Sequence, residues 1–230
     1  MAVAEKAVAY IEMKDYLVLE NANRYKHESL AGVIYAVQGD GTRGIASGSA
    51  VHADLIRNMG FALHRRLQGT PCSVKMTEMR LRVDAADGMF YPDVMVHCRP
   101  LPDPFNTTEL TEARLIVEVL SPSTQRFDRG QKLTAYRKLP GLQHIVLVSS
   151  LEQAAGVCHR VPAKADWSEL APWPQGSVLP LEGLGFNLLL GRGVRRGRAG
   201  LKTPRAAAAR ADPRDTILHF TTAPAPRHPP

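Results

Sequence analysis

"ARLIVEVLSPST", residues 113–124, decides how the chain folds. Leu115, Ile116, Val117, Val119 and Leu120 make it apolar on both faces, and a single acid, Glu118, interrupts the run. Continuous apolarity belongs to a central strand covered on both sides. The period of two puts Ile116, Glu118 and Leu120 on one face and Val117 and Val119 on the other. Glutamate is depleted from such strands, and a buried carboxylate needs a cation, a donor or a proton. A second apolar strand carries the same anomaly. In "FYPDVMVHC", residues 90–98, Pro92 and Asp93 sit among Phe90, Val94, Met95 and Val96. If the two strands are neighbours their carboxylates converge, and they repel unless a proton or a cation lies between them.

The flanking segments read as alternating elements. "YIEMKDYLVLE" (10–20) suits a short helix, and "LAGVIYAVQG" (30–39) a strand leaving a hairpin. Residues 47–69 place Val51, Leu55, Ile56, Met59, Leu63 and Leu67 close to a 3.6 period, with Ser47 or Ser49 as N-cap and Gly69 as stop. His52 falls on that face and reads as a packed histidine, whereas Arg65 and Arg66 read as a solvated helix end within reach of DNA. His27 reads as exposed. Residues 72–98 alternate on either side of "DAADG" and predict one antiparallel hairpin. "FDRGQKLTAYRKLPG" (127–141) predicts a helix with Asp128 as N-cap and Pro140–Gly141 beyond its end. "LQHIVLVSS" and "AAGVCHRV" predict two more strands. Strands interleaved with helices indicate a mixed α/β or α+β domain, a central mixed sheet flanked by helices with an N-terminal hairpin.

The chemistry follows from the two acids. Oxygen-only ligands favour a hard cation such as Mg²⁺, which keeps several waters and shares its shell with substrate phosphate. Metal-bound water together with charge neutralisation is a route to phosphodiester hydrolysis. On the helix after Glu118, Asp128, Lys132 and Tyr136 are spaced i, i+4, i+8 and lie along one side. Lys132 there stabilises an anionic transition state or orients water. The plain alternative for Glu118 is a salt bridge to Lys132 without metal, and for Tyr136 a supporting or packing role.

Pro92–Asp93 followed by Glu118 between aliphatic neighbours resembles the PD-(D/E)xK nuclease superfamily. More closely, "HESLAGVIYAVQG", "YPDVMVHC" and "LIVEVLSPSTQRFDRGQKLTAYRKLPGL" resemble, in order over about residues 10–190, the Uma family named for restriction endonucleases and long filed as a domain of unknown function. The resemblance implies a restriction-endonuclease-like core and a Mg²⁺-dependent endonuclease acting on DNA, with Mn²⁺ as a substitute. It implies Asp93 and Glu118 as metal-binding acids, Glu28 as the acid of the first core segment, and Lys132 as the catalytic lysine. Leu120 occupies the superfamily's usual lysine position, so the lysine has moved to the next helix. The Gly-acid hairpin that usually follows the first glutamate lacks its second acid here. Members of the superfamily often work as dimers, which suits cutting two strands. A nuclease-fold binding module without catalysis, and a hydrolase of a small phosphoester, remain open alternatives.

Charge and cysteine usage set the bounds. From residue 191 onward there are nine Lys/Arg and two acids, which carries the whole formal excess of +7; residues 1–190 balance to zero. Residues 1–190 therefore read as the nuclease-like domain. The Ala/Pro/Arg-rich tail 191–230 reads as disordered, able to touch phosphates without sequence preference. No apolar run approaches the roughly 20 residues of a membrane span. Glu5, Lys6, Glu12 and Lys14 break any leader-like pattern, and three widely spaced cysteines (Cys72, Cys98, Cys158) suit ordinary thiols. Together these predict a cytoplasmic protein with no membrane partner.

Overall fold

The computed structural model describes residues 10–37, 49–152, 154–161, 166–174 and 176–190, together with a strand at 216–218. From the N-terminal side, α1 (Met13–Ala22) precedes a hairpin of β1 (His27–Leu30) and β2 (Val33–Ala36). Its turn needs left-handed backbone at Ala31 and Gly32 (φ 51° and 74°), which is why a glycine stands there. α2 (Ala50–Leu67) starts where the Ser49 hydroxyl accepts the His52 N–H at 3.2 Å, and Gly69 follows its end at φ 77°. Next come β3 (Ser73–Met76), β4 (Arg80–Val83), β5 (Gly88–Phe90), β6 (Val94–His97), β7 (Glu109–Leu110) and β8 (Leu115–Leu120). A helix at residues 125–136, α3, leads to β9 (His144–Ser149), β10 (Ala155–Val161), β11 (Asp166–Trp167), β12 (Ala171–Trp173), β13 (Val178–Leu181), β14 (Phe186–Leu190) and β15 (Thr216–Leu218).

As expected, "LIVEVL" is the centre of a mixed sheet. Its order is β11-β10-β9-β8-β6-β3, with β12 also on β10; β8 runs antiparallel to β6 and parallel to β9. All six residues of β8 are buried. Val117 and Val119 face a layer formed by Leu55, Met59, Leu63 and Leu67 of α2. Ile116 and Leu120 face the opposite layer, with Leu133 and Tyr136 of α3 and Leu81 and Phe90 of a second sheet. Thus the alternation in the sequence translates directly into two cores.

The 72–98 hairpin needs correction. Its arms do pair antiparallel, β4 with β5 and β3 with β6, but the two halves belong to different sheets. The second sheet is ordered β2-β1-β5-β4-β7. The ribbon crosses between sheets at Thr77 (φ 38°) on one arm and at Pro92–Asp93 on the other. Proline has no N–H for a ladder, so it is tolerated at such a seam and not in mid-sheet.

Three further expectations change. Asp128 is not an N-cap: the Ser121–Thr124 turn starts the helix at Gln125, and Asp128 opens a π-helical turn (Asp128–Lys132) inside it. His27 is half-buried, its Nδ1 3.1 Å from Glu20 Oε2. Cys72 and Cys98 are disulfide-bonded, and Cys158 is the buried free thiol. The spacing of 26 residues hid that pairing; the β3–β6 register, Ser73 opposite His97, puts the flanking cysteines face to face.

The tail expectation lies outside the described residues except at Thr216–Leu218. Those three residues form a strand that pairs in parallel with β14 in a three-stranded sheet with β13. Among the described residues no helix is long and apolar enough to cross a membrane. Alkylating the denatured chain without reductant should label Cys158 alone, and all three cysteines after reduction. Three labels before reduction would remove the cross-strand link.

Candidate active site

Val94 stands opposite Val117 and Met95 opposite Ile116, so one step further along the register Asp93 meets Glu118. The convergence of the two acids is therefore a consequence of strand pairing. Asp93 turns back into the seam, where its Oδ2 accepts the Val119 N–H at 2.7 Å. Glu118, on the face of Ile116 and Leu120, points under α3. Lys132 Nζ comes from that helix to 3.0 Å from Glu118 Oε1, 2.8 Å from Glu28 Oε1 and 3.7 Å from Asp128 Oδ1. The Tyr136 hydroxyl donates to Glu118 Oε1 at 2.6 Å. Glu28 arrives from β1 and also accepts the Tyr91 N–H at 2.9 Å.

Glu28, Asp93, Glu118, Asp128, Lys132 and Tyr136 thus meet at one place, drawn from two sheets and a helix. The N-terminal hairpin is held against α3 by Tyr35, which packs on Phe127 (ring centroids 4.4 Å apart) and donates to Gln131 Oε1 at 3.2 Å. The π-helical turn lies across the stretch that carries Asp128 and Lys132, a feature frequent at functional sites.

Electrostatics sets the character of the cluster. Glu28, Glu118, Asp128 and Lys132 are each at most 5% exposed. Four carboxylates, counting Asp93, share one ammonium. Burial pushes Glu118 well above the ordinary carboxylate range, Lys132 draws it partly back, and Asp93 and Asp128 push it up again. Burial likewise raises Glu28 and Asp93 against the pull of Lys132. Desolvation alone would neutralise Lys132, but Glu118, Glu28 and Asp128 outweigh it and keep the ammonium charged. Tyr136 is raised by burial and by Glu118, so its phenol remains a neutral donor.

This donor set fits a hard divalent cation. Carboxyl groups outnumber the ammonium inside a buried cluster, and among the described residues both side-chain contacts to Glu118 fall on Oε1. Among the described residues Asp93 Oδ1 accepts no direct hydrogen bond, and His52 Nε2 lies 3.8 Å from it. Among the described residues no three His, Cys, Asp or Glu side chains form a ready-made metal cage. Mg²⁺ does not require one, since one or two carboxylates with waters and phosphate oxygens complete its shell.

Sequence reasoning missed three participants. His52, read as packed, lies with Nε2 3.8 Å from Asp93 Oδ1. Its signal was available: a polar ring on the apolar face of α2, the same kind of anomaly as Glu118 in its strand. Glu20 and Tyr91 form the other support. The Tyr91 hydroxyl donates to Glu20 Oε1 at 2.9 Å, and Glu20 also accepts the His27 N–H at 3.0 Å, which anchors the backbone that holds Glu28. No local pattern marks those two.

Paired acids on neighbouring strands of a mixed sheet, with a lysine delivered from the next helix, define a restriction-endonuclease-like protein. A crystal structure from Anabaena variabilis, described as "a putative nuclease belonging to DUF820", has the same fold at a TM-score of 0.59 and 17% identity, over 76% of this chain and 90% of that one. Residues 13–191 match the Uma2 family, "Putative restriction endonuclease", and the chain belongs to that family. It is 33% identical over 147 residues to the uncharacterized protein slr1290 of Synechocystis sp., covering 64% of this chain and 73% of that one. A second protein of the same organism, sll1609, is 32% identical over 148 residues, 64% and 76% of the two chains.

Removing the lone ammonium should expose the charge imbalance. Acids raised in the folded chain hold protons there that the unfolded chain releases. The stability from that uptake is complete below the ordinary carboxylate values and is lost as pH rises through the folded ones. Lys132→Met should therefore cost about 3–5 kcal/mol in urea unfolding at pH 7.5, because it leaves buried acids uncompensated. The cost should be smaller at pH 5, where a larger share of those acids is protonated. An equal loss at both values would contradict this account.

Proposed function

We propose that the chain is a divalent-metal-dependent endodeoxyribonuclease of PD-(D/E)xK type, with Mg²⁺ as the cation and Mn²⁺ as its substitute. The observation that carries this reading is the excess of buried carboxylate over ammonium around Lys132. Asp93 and Glu118 would hold the ion, which when bound supplies a water of lowered pKa and offsets phosphate charge. Glu28 and Asp128 hold Lys132 in place from two sides. From there Lys132 directs an N–H toward an anionic oxygen of the scissile phosphate or toward the attacking water. Tyr136 fixes Glu118 Oε1, which leaves Oε2 for the cation.

DNA is the partner that family membership suggests, and the +7 of residues 191–230 would add salt-sensitive attraction to phosphates. A homodimer would supply two such sites for two strands. A second reading, a nuclease-fold binding module, is favoured by one contact: Lys132 already bridges Glu28 and Glu118 and offsets part of their charge.

Nicking of supercoiled plasmid in Mg²⁺ or Mn²⁺ tests the proposal. Asp93→Ala and Glu118→Ala should each lower the rate by at least about 10²-fold, the scale seen when one transition-state contact is removed. Activity that survives EDTA, or is equal in all three proteins, would sink it. Calorimetry showing DNA bound but no Mn²⁺ would favour the binding module.

A further inference from the structure

At the end of β6 away from Asp93 lies a second group of polar side chains, which the candidate active site does not use. A cavity of about 100 Å³ opens there. It is lined by His97, the last residue of β6, by Arg99 and Glu112 from the connection to β8, by Arg114, and by Pro140–Gly141 beyond α3. At about 3.3 Å per residue, Arg114 stands about 13 Å along the strand from Glu118, so the two places are separate. His97 is 6% exposed, and its Nδ1 is buried without a hydrogen-bond partner among the described residues. Burial holds the ring below the ordinary histidine value, so near neutral pH it is uncharged and carries one proton. A proton on Nδ1 would be a buried donor without an acceptor, which is costly. Nε2 therefore carries it, and the ring offers the cavity an N–H.

The two cations are unequally committed. Arg99 Nε lies 2.8 Å from Glu112 Oε2, so these charges offset one another. The Arg114 side chain makes one weak contact among the described residues, Nη1 to the Gly141 carbonyl oxygen at 3.4 Å, and its other donors are unspent. The balance is one positive charge with donors from β6 and from the approach to β8, which suits a compact anion. Size narrows the class: a cavity of about 150 Å³ admits benzene, so this one holds an oxyanion and not a nucleobase. Glu112 accepts and cannot donate, so the anion that fits beside it brings its own hydroxyl. Protonated phosphate does; sulfate does not.

We propose that His97, Arg114 and Glu112 form a phosphate-binding site, in which the His97 Nε2–H and the Arg114 guanidinium donate to phosphate oxygens and Glu112 accepts the phosphate hydroxyl. The site is independent of the metal-dependent reading. Free phosphate and the phosphate that ends a nucleic-acid strand share this chemistry.

Calorimetry on the full chain in EDTA tests it, with inorganic phosphate as the probe at about pH 6.5, where a phosphomonoester also keeps part of its proton. Phosphate should bind at one site per chain, and sulfate at least about tenfold more weakly. Arg114→Gln, at an exposed position, should weaken phosphate at least about tenfold, the scale of one hydrogen bond to a charged group. Glu112→Gln should remove the preference over sulfate. Competition separates the sources. A dinucleotide that displaces phosphate only when it carries a 5′-phosphate identifies a strand end, and no displacement identifies free phosphate. No phosphate binding by the wild type would overturn the site. So would equal binding by a folded Arg114→Gln, the result expected if the basic residues after 191 attract the anion. Equal affinity for phosphate and sulfate in the wild type would overturn the part given to Glu112.

Discussion

A single ammonium held among buried carboxylates is the constraint on which the rest of the structure depends. Lys132 reaches Glu28 on β1, Glu118 on β8 and Asp128 one turn back on its own helix. An ion group this deeply buried repays its desolvation only when every partner is in place. The N-terminal hairpin, the central strand and α3 must therefore all dock correctly for the cluster to be tolerated. Apolar side chains of similar volume would stabilise such an interior at least as well. Stability alone therefore does not account for the cluster.

The seam at Pro92–Asp93 serves that cluster. A continuous hairpin through residues 72–98 would have buried Asp93 in a ladder. Instead the ribbon leaves one sheet and enters another, and at the crossing Asp93 is free to fold back onto the Val119 N–H. The proline suits the crossing because it offers no N–H, and the aspartate after it lies at the crossing itself. Tyr91, just before, gives its N–H to Glu28 and its hydroxyl to Glu20. Three consecutive residues thereby tie both sheets to the site.

Much of this was legible from local pattern. The two-residue period of "LIVEVL" foretold which face Glu118 would take, and the 3.6 period of residues 47–69 foretold α2 with its cap. The site acids were legible because each breaks an apolar rule in its own strand. His52 breaks the same rule more weakly, since imidazole is tolerated on a helix's buried face. Glu20 and Tyr91 break no rule at all, and only their contacts reveal them.

By itself the amino-acid sequence determined the central strand, the long helix, the hairpins and the acids that do not belong in apolar surroundings, because period and burial preference act over a few neighbouring residues. Only the tertiary structure decided that residues 72–98 divide between two sheets, that Cys72 lies against Cys98, that Asp128 sits inside a π-helical turn, and that His52 faces Asp93. Those outcomes depend on register and on the docking of elements far apart along the chain. No local pattern encodes such distances, since each partner satisfies its own neighbourhood equally well wherever the other lies.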